Sequence, residues 1–313
     1  MPMTEEIQSD YDSPWQLVLD TYFEEFVAFF FPHAQIDWTK QHESLDKELQ
    51  QVVRDAALGK RLVDKLIKVW LKSGDEAWVL VHIEVQSQEE SGFSERMFVY
   101  NYRIYDRYRR RVASLAVLGD ERLAWRPSQF GYELFDCRMQ FQFPIVKLAD
   151  YGAQWQALEA SRNPFATVVM AHLKTQETRD NGEERKSWKL SLVKRLYDQG
   201  LQRQDILDLF QFIDWILALP QDLEDEFLLE LAQYEGERRM QYITSMERKG
   251  LKQGLLSGIA LGLELKFGSE GLDCLPEISQ IQDVKVLETV LERLKTSSSL
   301  DEFRRVYQDS LPA

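Results

Sequence analysis

The chain has 313 residues, a formal net charge of −14 and 44% hydrophobic residues. This length and composition exclude a disordered chain and predict more than one folding unit around a sizeable core. No apolar run approaches the roughly 20 residues that a membrane span requires, and the first residues are acidic and polar, unlike a secretory signal. We therefore expect a soluble, cytoplasmic protein with no membrane partner.

The charge is distributed unevenly along the chain. Residues 1–50 are strongly acidic, whereas residues 96–126 contain a cluster of arginines. The overall charge predicts weak background binding to nucleic acid, but it leaves room for a local basic face. The two cysteines, Cys137 and Cys274, have neither metal-ligand nor redox spacing and are expected to be buried thiols.

Two helices are predicted before the first strand. The first runs from Pro14 to Phe31, and a projection at about 100° per residue puts Asp20 and Glu25 beside its apolar stripe. The second covers residues 44–57 and carries Asp46 in its first turn. These acids are candidates for a functional site, and ordinary charge on the flank of a helix is the alternative.

Residues 61–88 predict a β-hairpin with its turn centred on Gly74. One face is apolar apart from Lys65, and the other carries Asp64 on the first strand and Glu84 on the second. With this turn the two acids would be direct cross-strand neighbours, with β-carbons roughly 5 Å apart. Carboxylates so close repel unless a proton or cation lies between them, which suits a divalent ion such as Mg²⁺. Two solvated acids on an edge hairpin are the alternative.

A helix is predicted over residues 95–108, with apolar residues at helical spacing. Arg103 and Arg107 lie away from that apolar line, and Arg110 follows in the same basic stretch. Arginines with interleaved tyrosines are suited to lining a nucleic-acid groove. A core-packing stripe with solvated arginines is the alternative.

The apolar run Val112–Leu118 predicts a central strand buried on both faces, and further strands are expected at Tyr132–Phe135 and Phe141–Leu148. The order of helices and strands predicts an α/β fold, with a mixed β-sheet flanked by helices and an all-α region after it.

We expect three regions: an α/β domain over residues 1–150, a helical cap over 151–243 and a C-terminal helical module over 244–313. In that module Gly250, Gly254, Gly258 and Gly262 recur at every fourth position. Glycine costs about 1 kcal/mol in a helix relative to alanine, so the repeat indicates helix packing or a homo-oligomer contact. A flexible linker is the alternative.

An acid on one strand followed by Glu-x-(Lys or Gln) on the next resembles the PD-(D/E)XK nuclease pattern, here Asp64 and Glu84-Val85-Gln86. The segments LDKELQQVVRDA, HIEVQSQ, ERMFVYNYRIYDRY and ASLAVLGD resemble the bacterial recombination-promoting nuclease, or transposase-like, group of that superfamily. Residues 272–307 resemble a small helical module of unassigned function that follows these nucleases.

The resemblance implies a restriction-endonuclease-like sheet and a DNA endonuclease that depends on Mg²⁺ or another divalent cation. It implies that Asp64 and Glu84 hold the ion, that a first-helix acid such as Asp20 joins them, and that Gln86 positions the nucleophile. Lys65 and Lys68 are candidate electrostatic helpers, and Lys68 is the better placed because Lys65 lies on the opposite face from Asp64. Lys68 is also a candidate nucleic-acid contact, together with Arg103, Arg107 and Arg110. Because Gln86 replaces the superfamily's lysine, it can orient water but adds no positive charge. The alternative is therefore a catalytically impaired nuclease fold that binds nucleic acid or regulates.

Overall fold

The computed structural model describes residues 12–54, 63–84, 92–238, 242–281, 284–297 and 299–307. Gln86 lies outside these ranges. Asp64 and Glu84 are described through their backbone positions in strands.

The seven strands of the described residues are β1 Glu43–Ser44, β2 Val63–Trp70, β3 Glu76–Glu84, β4 Val112–Leu118, β5 Gln129–Leu134, β6 Cys137–Gln142 and β7 Ile145–Lys147. The helices up to the end of the cap region are α1 Asp12–Thr21, α2 Phe23–Phe30, α3 Asp46–Arg54, α4 Phe93–Tyr108, α5 Trp155–Ala160, α6 Pro164–Glu177, α7 Gly182–Asp198, α8 Arg203–Ile216 and α9 Gln221–Arg238. A 3-10 helix over Leu148–Gln154 precedes α5. The remaining helices are α10 Ile243–Phe267, α11 Ser269–Leu272, α12 Leu275–Ile278, α13 Val284–Thr296 and α14 Leu300–Tyr307.

The main sheet has the strand order β1-β2-β3-β4-β7. The pairs β1–β2 and β2–β3 are antiparallel, whereas the pairs β3–β4 and β4–β7 are parallel. After β7 the described chain is helical. The prediction of an α/β fold with a mixed sheet and a following all-α region is therefore confirmed.

The turn between β2 and β3 differs from the prediction and moves the register. Leu71 donates its N–H to the carbonyl of Asp75 and accepts the N–H of Gly74, both at 2.8 Å. Gly74 has a φ of 92°, in the left-handed region that favours glycine. The loop thus has three residues and is centred on Ser73, as in a type I turn followed by a glycine bulge. Asp64 therefore pairs with His82 and not with Glu84, so the predicted register is wrong.

Helices cover both faces of the sheet around β2, β3 and β4. Leu66, Trp78 and Leu80 pack with α3 and α4 in one cluster on the first face. The alternate positions Ile67, Val79 and Val81 are also buried. β4 is buried from Ser114 to Leu118, which confirms the predicted central strand.

The first predicted helix is two helices. It breaks at Tyr22, whose φ of −126° and ψ of 40° are not helical. Trp15 on α1 packs against Phe165 of α6 and Phe212 of α8, with ring centroids 6.5 and 5.5 Å apart. These contacts join α1 to the helices that follow the sheet.

The last predicted strands also differ from the structure. Residues 129–142 form the separate hairpin β5–β6, and only Ile145–Lys147 joins the main sheet. The alternation of apolar and polar residues favours a strand, but it does not say which sheet the strand enters.

The chain divides into two compact units, Met1–Phe227 and Leu228–Ala313. In the second unit, Ile259, Leu263, Val290 and Phe303 belong to one buried cluster. A Cβ atom at Gly262 would lie 2.6 Å from Leu294 Cδ2, so this glycine allows α10 and α13 to approach closely. Within the described residues, none of the helices combines the length and the apolar character needed to cross a membrane.

Candidate metal centre and nucleic-acid interface

The two acids of the predicted metal site lie at one edge of the sheet. Asp64 is the second residue of β2, and Glu84 is the last residue of β3. Glu84 pairs with Leu118 at the end of β4, and Leu118 pairs in turn with Lys147 at the end of β7. Ligands of α/β sheets bind outside the carboxyl ends of parallel strands, and this edge carries the carboxyl ends of β3, β4 and β7.

Because Asp64 pairs with His82, Asp64 and Glu84 are diagonal and not direct neighbours. Diagonal positions on adjacent strands are roughly 7–8 Å apart, within reach of long side chains. Mg²⁺ needs oxygen ligands at about 2.0–2.1 Å and is commonly held by one or two carboxylates plus water. An aspartate and a glutamate in this register therefore fit a shared ion less tightly than directly opposed acids would.

Lys65, next to Asp64 on β2, forms the best-defined charge cluster near this edge. Its side chain is buried, at 7% exposure, and its ammonium group donates hydrogen bonds to Asp20 of α1 and Asp46 of α3. Burial lowers the pKa of Lys65, but the hydrogen bonds and charges of the two aspartates outweigh burial and raise it above its ordinary value. The cluster therefore carries a lysine cation between two carboxylates.

Asp20 and Asp46 were candidates for the metal site, and the structure brings both to Lys65. Successive strand positions belong to opposite faces, so Lys65 lies on the other face of β2 from the position of Asp64. Oδ1 of Asp46 is buried and accepts no hydrogen bond from the part of the chain that is described. The pairing with Lys65 was missed by sequence reasoning, although a single lysine on an apolar strand face is a signal, since a buried charge requires a partner.

Three of the four predicted nucleic-acid-binding residues contact side chains within the protein. Lys68 pairs with Glu43 of β1 at 3.1 Å, and Arg110 pairs with Glu76 of β3 at 3.3 Å. Arg107 donates to Gln51 of α3 at 2.8 Å, and Arg103 is half-buried on α4. Acidic partners partly offset the positive charge of Lys68 and Arg110.

A second ion pair, which the sequence did not predict, lies just beyond β4. Lys147 and Asp120 form a salt bridge in which their side chains are 0% and 2% exposed. The Asp120 carboxylate also accepts the N–H of Arg122 at 2.9 Å, and the Lys147 ammonium lies 5.6 Å from the centroid of the Trp125 ring. These contacts fix the ends of β4 and β7 at the edge that carries Glu84.

The chain between Asp120 and β4 is held by α6. Nε2 of His172 lies 2.8 Å from the carbonyl oxygen of Gly119, and Gln176 donates to the same oxygen. Burial lowers the pKa of His172 despite the hydrogen bond to Gly119. A neutral imidazole with its proton on Nε2 satisfies this contact, so His172 has a structural role here.

The described residues contain no group of three or more histidine, cysteine, aspartate or glutamate residues arranged to hold a metal ion. The side chains of Asp64 and Glu84 lie outside that description. Comparison of the chain with protein-family models, with curated proteins and with solved structures finds no match.

Proposed function

We propose that the chain is a metal-dependent DNA endonuclease of the PD-(D/E)XK type, related to the recombination-promoting nuclease or transposase-like group and acting in the cytoplasm. The observation that carries the proposal is the position of two acids, Asp64 and Glu84, at one edge of a mixed sheet. Their strands are adjacent, and the acids are two positions apart in register. The sequence resemblance around both residues supports the same assignment.

A bound Mg²⁺ or other divalent ion supplies Lewis acidity to a phosphate and lowers the pKa of a coordinated water. Asp64 and Glu84 would hold this ion through carboxylate oxygens. Gln86 would orient the attacking water through its amide, which carries no charge. Asp20 would act indirectly, since its carboxylate holds Lys65 beside Asp64 on β2.

DNA is the proposed partner of the basic side chains. Lys68, Arg103, Arg107 and Arg110 lie on β2, on α4 and directly after α4. Contacts from lysine and arginine to phosphate position a nucleic acid without reading its sequence. With a net charge of −14, the chain is expected to bind DNA weakly and with strong dependence on salt.

Cleavage of supercoiled plasmid with Mg²⁺, compared with the same reaction in chelator, tests the proposal. Asp64→Asn and Glu84→Gln each remove a ligand charge, and each should slow nicking by at least about 100-fold. Asp75→Asn is the matched control, because Asp75 is an exposed acid at the turn of the same hairpin. The Asp75→Asn protein should nick plasmid at the normal rate. Full activity in both edge variants would reject the assignment.

A catalytically impaired nuclease fold that binds nucleic acid or regulates is the second candidate. Two observations favour it: Gln86 stands in place of lysine, and Asp20 and Asp46 are already paired with Lys65. DNA binding that is indifferent to chelator, together with no cleavage under Mg²⁺ or Mn²⁺, would support this function over the first.

We further propose that the C-terminal helices form a homo-oligomer contact. Leu251, Leu261 and Leu265 are exposed on α10, and, apart from the nearby backbone of α10 itself, no atom of the described residues lies within 4 Å of a Cβ built at Gly250 or Gly254. Light scattering of the full chain and of a chain truncated at Ser245 measures this contact. Equal association states would exclude it.

A further inference from the structure

The β5–β6 hairpin has one apolar and one polar face. Cross-strand pairs alternate between the two faces of a hairpin. The apolar face consists of the pairs Phe130–Phe141, Tyr132–Met139 and Leu134–Cys137. The intervening pairs are Gln129–Gln142, Gly131–Gln140 and Glu133–Arg138. Such a pattern is typical of a hairpin whose apolar face is covered.

Within the described residues, the base of this apolar face is covered and its tip is exposed. The ring of Phe130 stacks on Phe98 of α4 at 5.3 Å, and Phe141 lies 5.5 Å from the buried Phe143. Towards the turn, Tyr132 is 58% exposed and Phe135 is 94% exposed. A two-stranded hairpin is marginally stable in water, so leaving this surface bare brings no stability.

The turn adds a second cost at the same place. Phe135 and Asp136 have φ values of 48° and 60° between paired residues Leu134 and Cys137. Two-residue turns of this kind favour Asn-Gly, because a left-handed conformation is unfavourable for most residues that carry a Cβ atom. An exposed phenylalanine here is unfavourable for both backbone and solvation, which points to a contact with another molecule.

The exposed aromatic side chains of the hairpin are continuous with those of α4. Phe98 stacks on Tyr102 at 6.1 Å, which connects Tyr102 through Phe98 to Phe130. Tyr102 and Tyr105 are both exposed, at helical positions that share a face with Phe98. We call the exposed Tyr102, Tyr105 and Tyr132, with Phe98 and Phe130 between them, the aromatic surface.

The chain around the aromatic surface is basic in an acidic protein. Residues 93–111 contain six arginines and two acidic residues, and two of these arginines, Arg110 and Arg111, pair with Glu76 and Asp75. The guanidinium of Arg109 lies 5.9 Å from the centroid of the Tyr105 ring and also pairs with Asp106. A surface with stacking faces and positive charge complements a polyanion with exposed π systems.

We infer that the aromatic surface binds unpaired nucleotides, with Tyr102 and Tyr132 stacking on bases. This inference rests on the proposed function and adds a substrate class to it, namely single-stranded or locally melted DNA. Bases inside a duplex offer no free stacking face, whereas every unpaired base offers one regardless of sequence. The exposed Phe135 is suited to enter at the junction where strands separate, because apolar side chains act as wedges between base steps.

Fluorescence anisotropy with a labelled oligothymidylate of about 20 nucleotides measures this binding, with a duplex of the same length for comparison. The chelator is present, and the protein carries Glu84→Gln, so binding is read without cleavage. Tyr132→Ala and Tyr102→Ala should each weaken oligothymidylate binding by about tenfold or more. Tyr132→Phe should keep the affinity within about twofold, since the stacking ring remains. Trp215→Ala, at an exposed aromatic of α8, is the control and should bind normally.

Several outcomes would overturn the inference. They are equal affinity for the duplex, no binding by the parent protein, or tyrosine variants that bind like the parent. A change in association state on Phe135→Ser, seen by light scattering, would also overturn it, because the hairpin would then be a protein interface. If plasmid cleavage persists while the tyrosine variants bind normally, only the inference fails. If oligothymidylate binding depends on the tyrosines while the unsubstituted protein does not cleave plasmid with Mg²⁺, only the endonuclease proposal fails.

Discussion

Replacing Lys147 by methionine should destabilise the first unit more than any exposed charge change. The substitution keeps the length and volume of the side chain but removes the ammonium group that pairs with Asp120. Asp120, at 2% exposure, would then lose its cationic partner and keep the hydrogen bond from the N–H of Arg122 at 2.9 Å.

The size of the expected loss of stability follows from the burial of Lys147 and Asp120. Because neither side chain is more than 2% exposed, solvent cannot screen the unpaired charge. Removing one partner of a buried ion pair costs about 3–5 kcal/mol in the free energy of unfolding. For Arg138→Met the cost should be below about 1 kcal/mol, because the Arg138–Glu133 pair is 72% and 53% exposed.

Urea denaturation followed by tryptophan fluorescence measures these costs in the first unit alone. All eight tryptophans lie before residue 228, so the second unit does not contribute to the signal. The double variant Asp120→Leu with Lys147→Met removes both charges of this pair, so it should recover most of the stability that Lys147→Met loses. The reasoning is refuted if Lys147→Met costs no more than Arg138→Met, or if the double variant is as unstable as the single one.

Three further predictions concern charge, pH and glycine. Lys65→Met should lower the free energy of unfolding by about 1–2 kcal/mol, as measured by the same urea denaturation. This loss is smaller than that of Lys147→Met because the two aspartates that pair with Lys65 are partly exposed. Burial lowers the pKa of His172, so as pH falls below about 6.5 this histidine takes up a proton in the unfolded chain before it does so in the folded protein. The free energy of unfolding should therefore drop by up to about 1.4 kcal/mol per pH unit in this range, and His172→Gln should lessen that drop. Parallel pH profiles for the parent protein and the variant would contradict this. In the second unit, Gly271→Ala should lower the free energy of unfolding by more than about 1 kcal/mol, because the new Cβ would lie 2.7 Å from the Leu263 carbonyl oxygen. Gly250→Ala should instead stabilise α10 by up to about 1 kcal/mol. Thermal unfolding followed by circular dichroism measures both, and equal stabilities for the two variants would contradict this reasoning.

Local patterns predicted the elements that carry the candidate site. The apolar run of β4, the hairpin β2–β3 and the helix α4 all follow from periodicity and turn residues within the segment concerned. The register of the hairpin did not, because Gly74 occupies the last position of a three-residue loop and not its centre. A glycine marks a turn, but it does not fix which turn type forms.

Contacts between distant residues were beyond the sequence pattern. Lys147 is 27 residues from Asp120, and nothing in either segment specifies the partner. The break at Tyr22 likewise has no proline or glycine to signal it. Lys65 on an apolar strand face indicates a buried charge that needs a partner, but the pattern does not identify Asp20 and Asp46, and the pair was not predicted.

The sheet also has a consequence for the order of folding. β2 and β3 are joined by a three-residue loop, so their pairing needs no distant segment, and hairpins close in about 1–10 μs. The strands of the parallel pair β3–β4 are separated in the chain by α4, and those of β4–β7 are separated by the β5–β6 hairpin. Pairing over these longer separations is slower. As the chain emerges from the ribosome, Asp64 and Glu84 should be aligned before β7 arrives. Pulse-labelled hydrogen exchange should accordingly protect the amides of β2 and β3 earlier than those shared by β4 and β7.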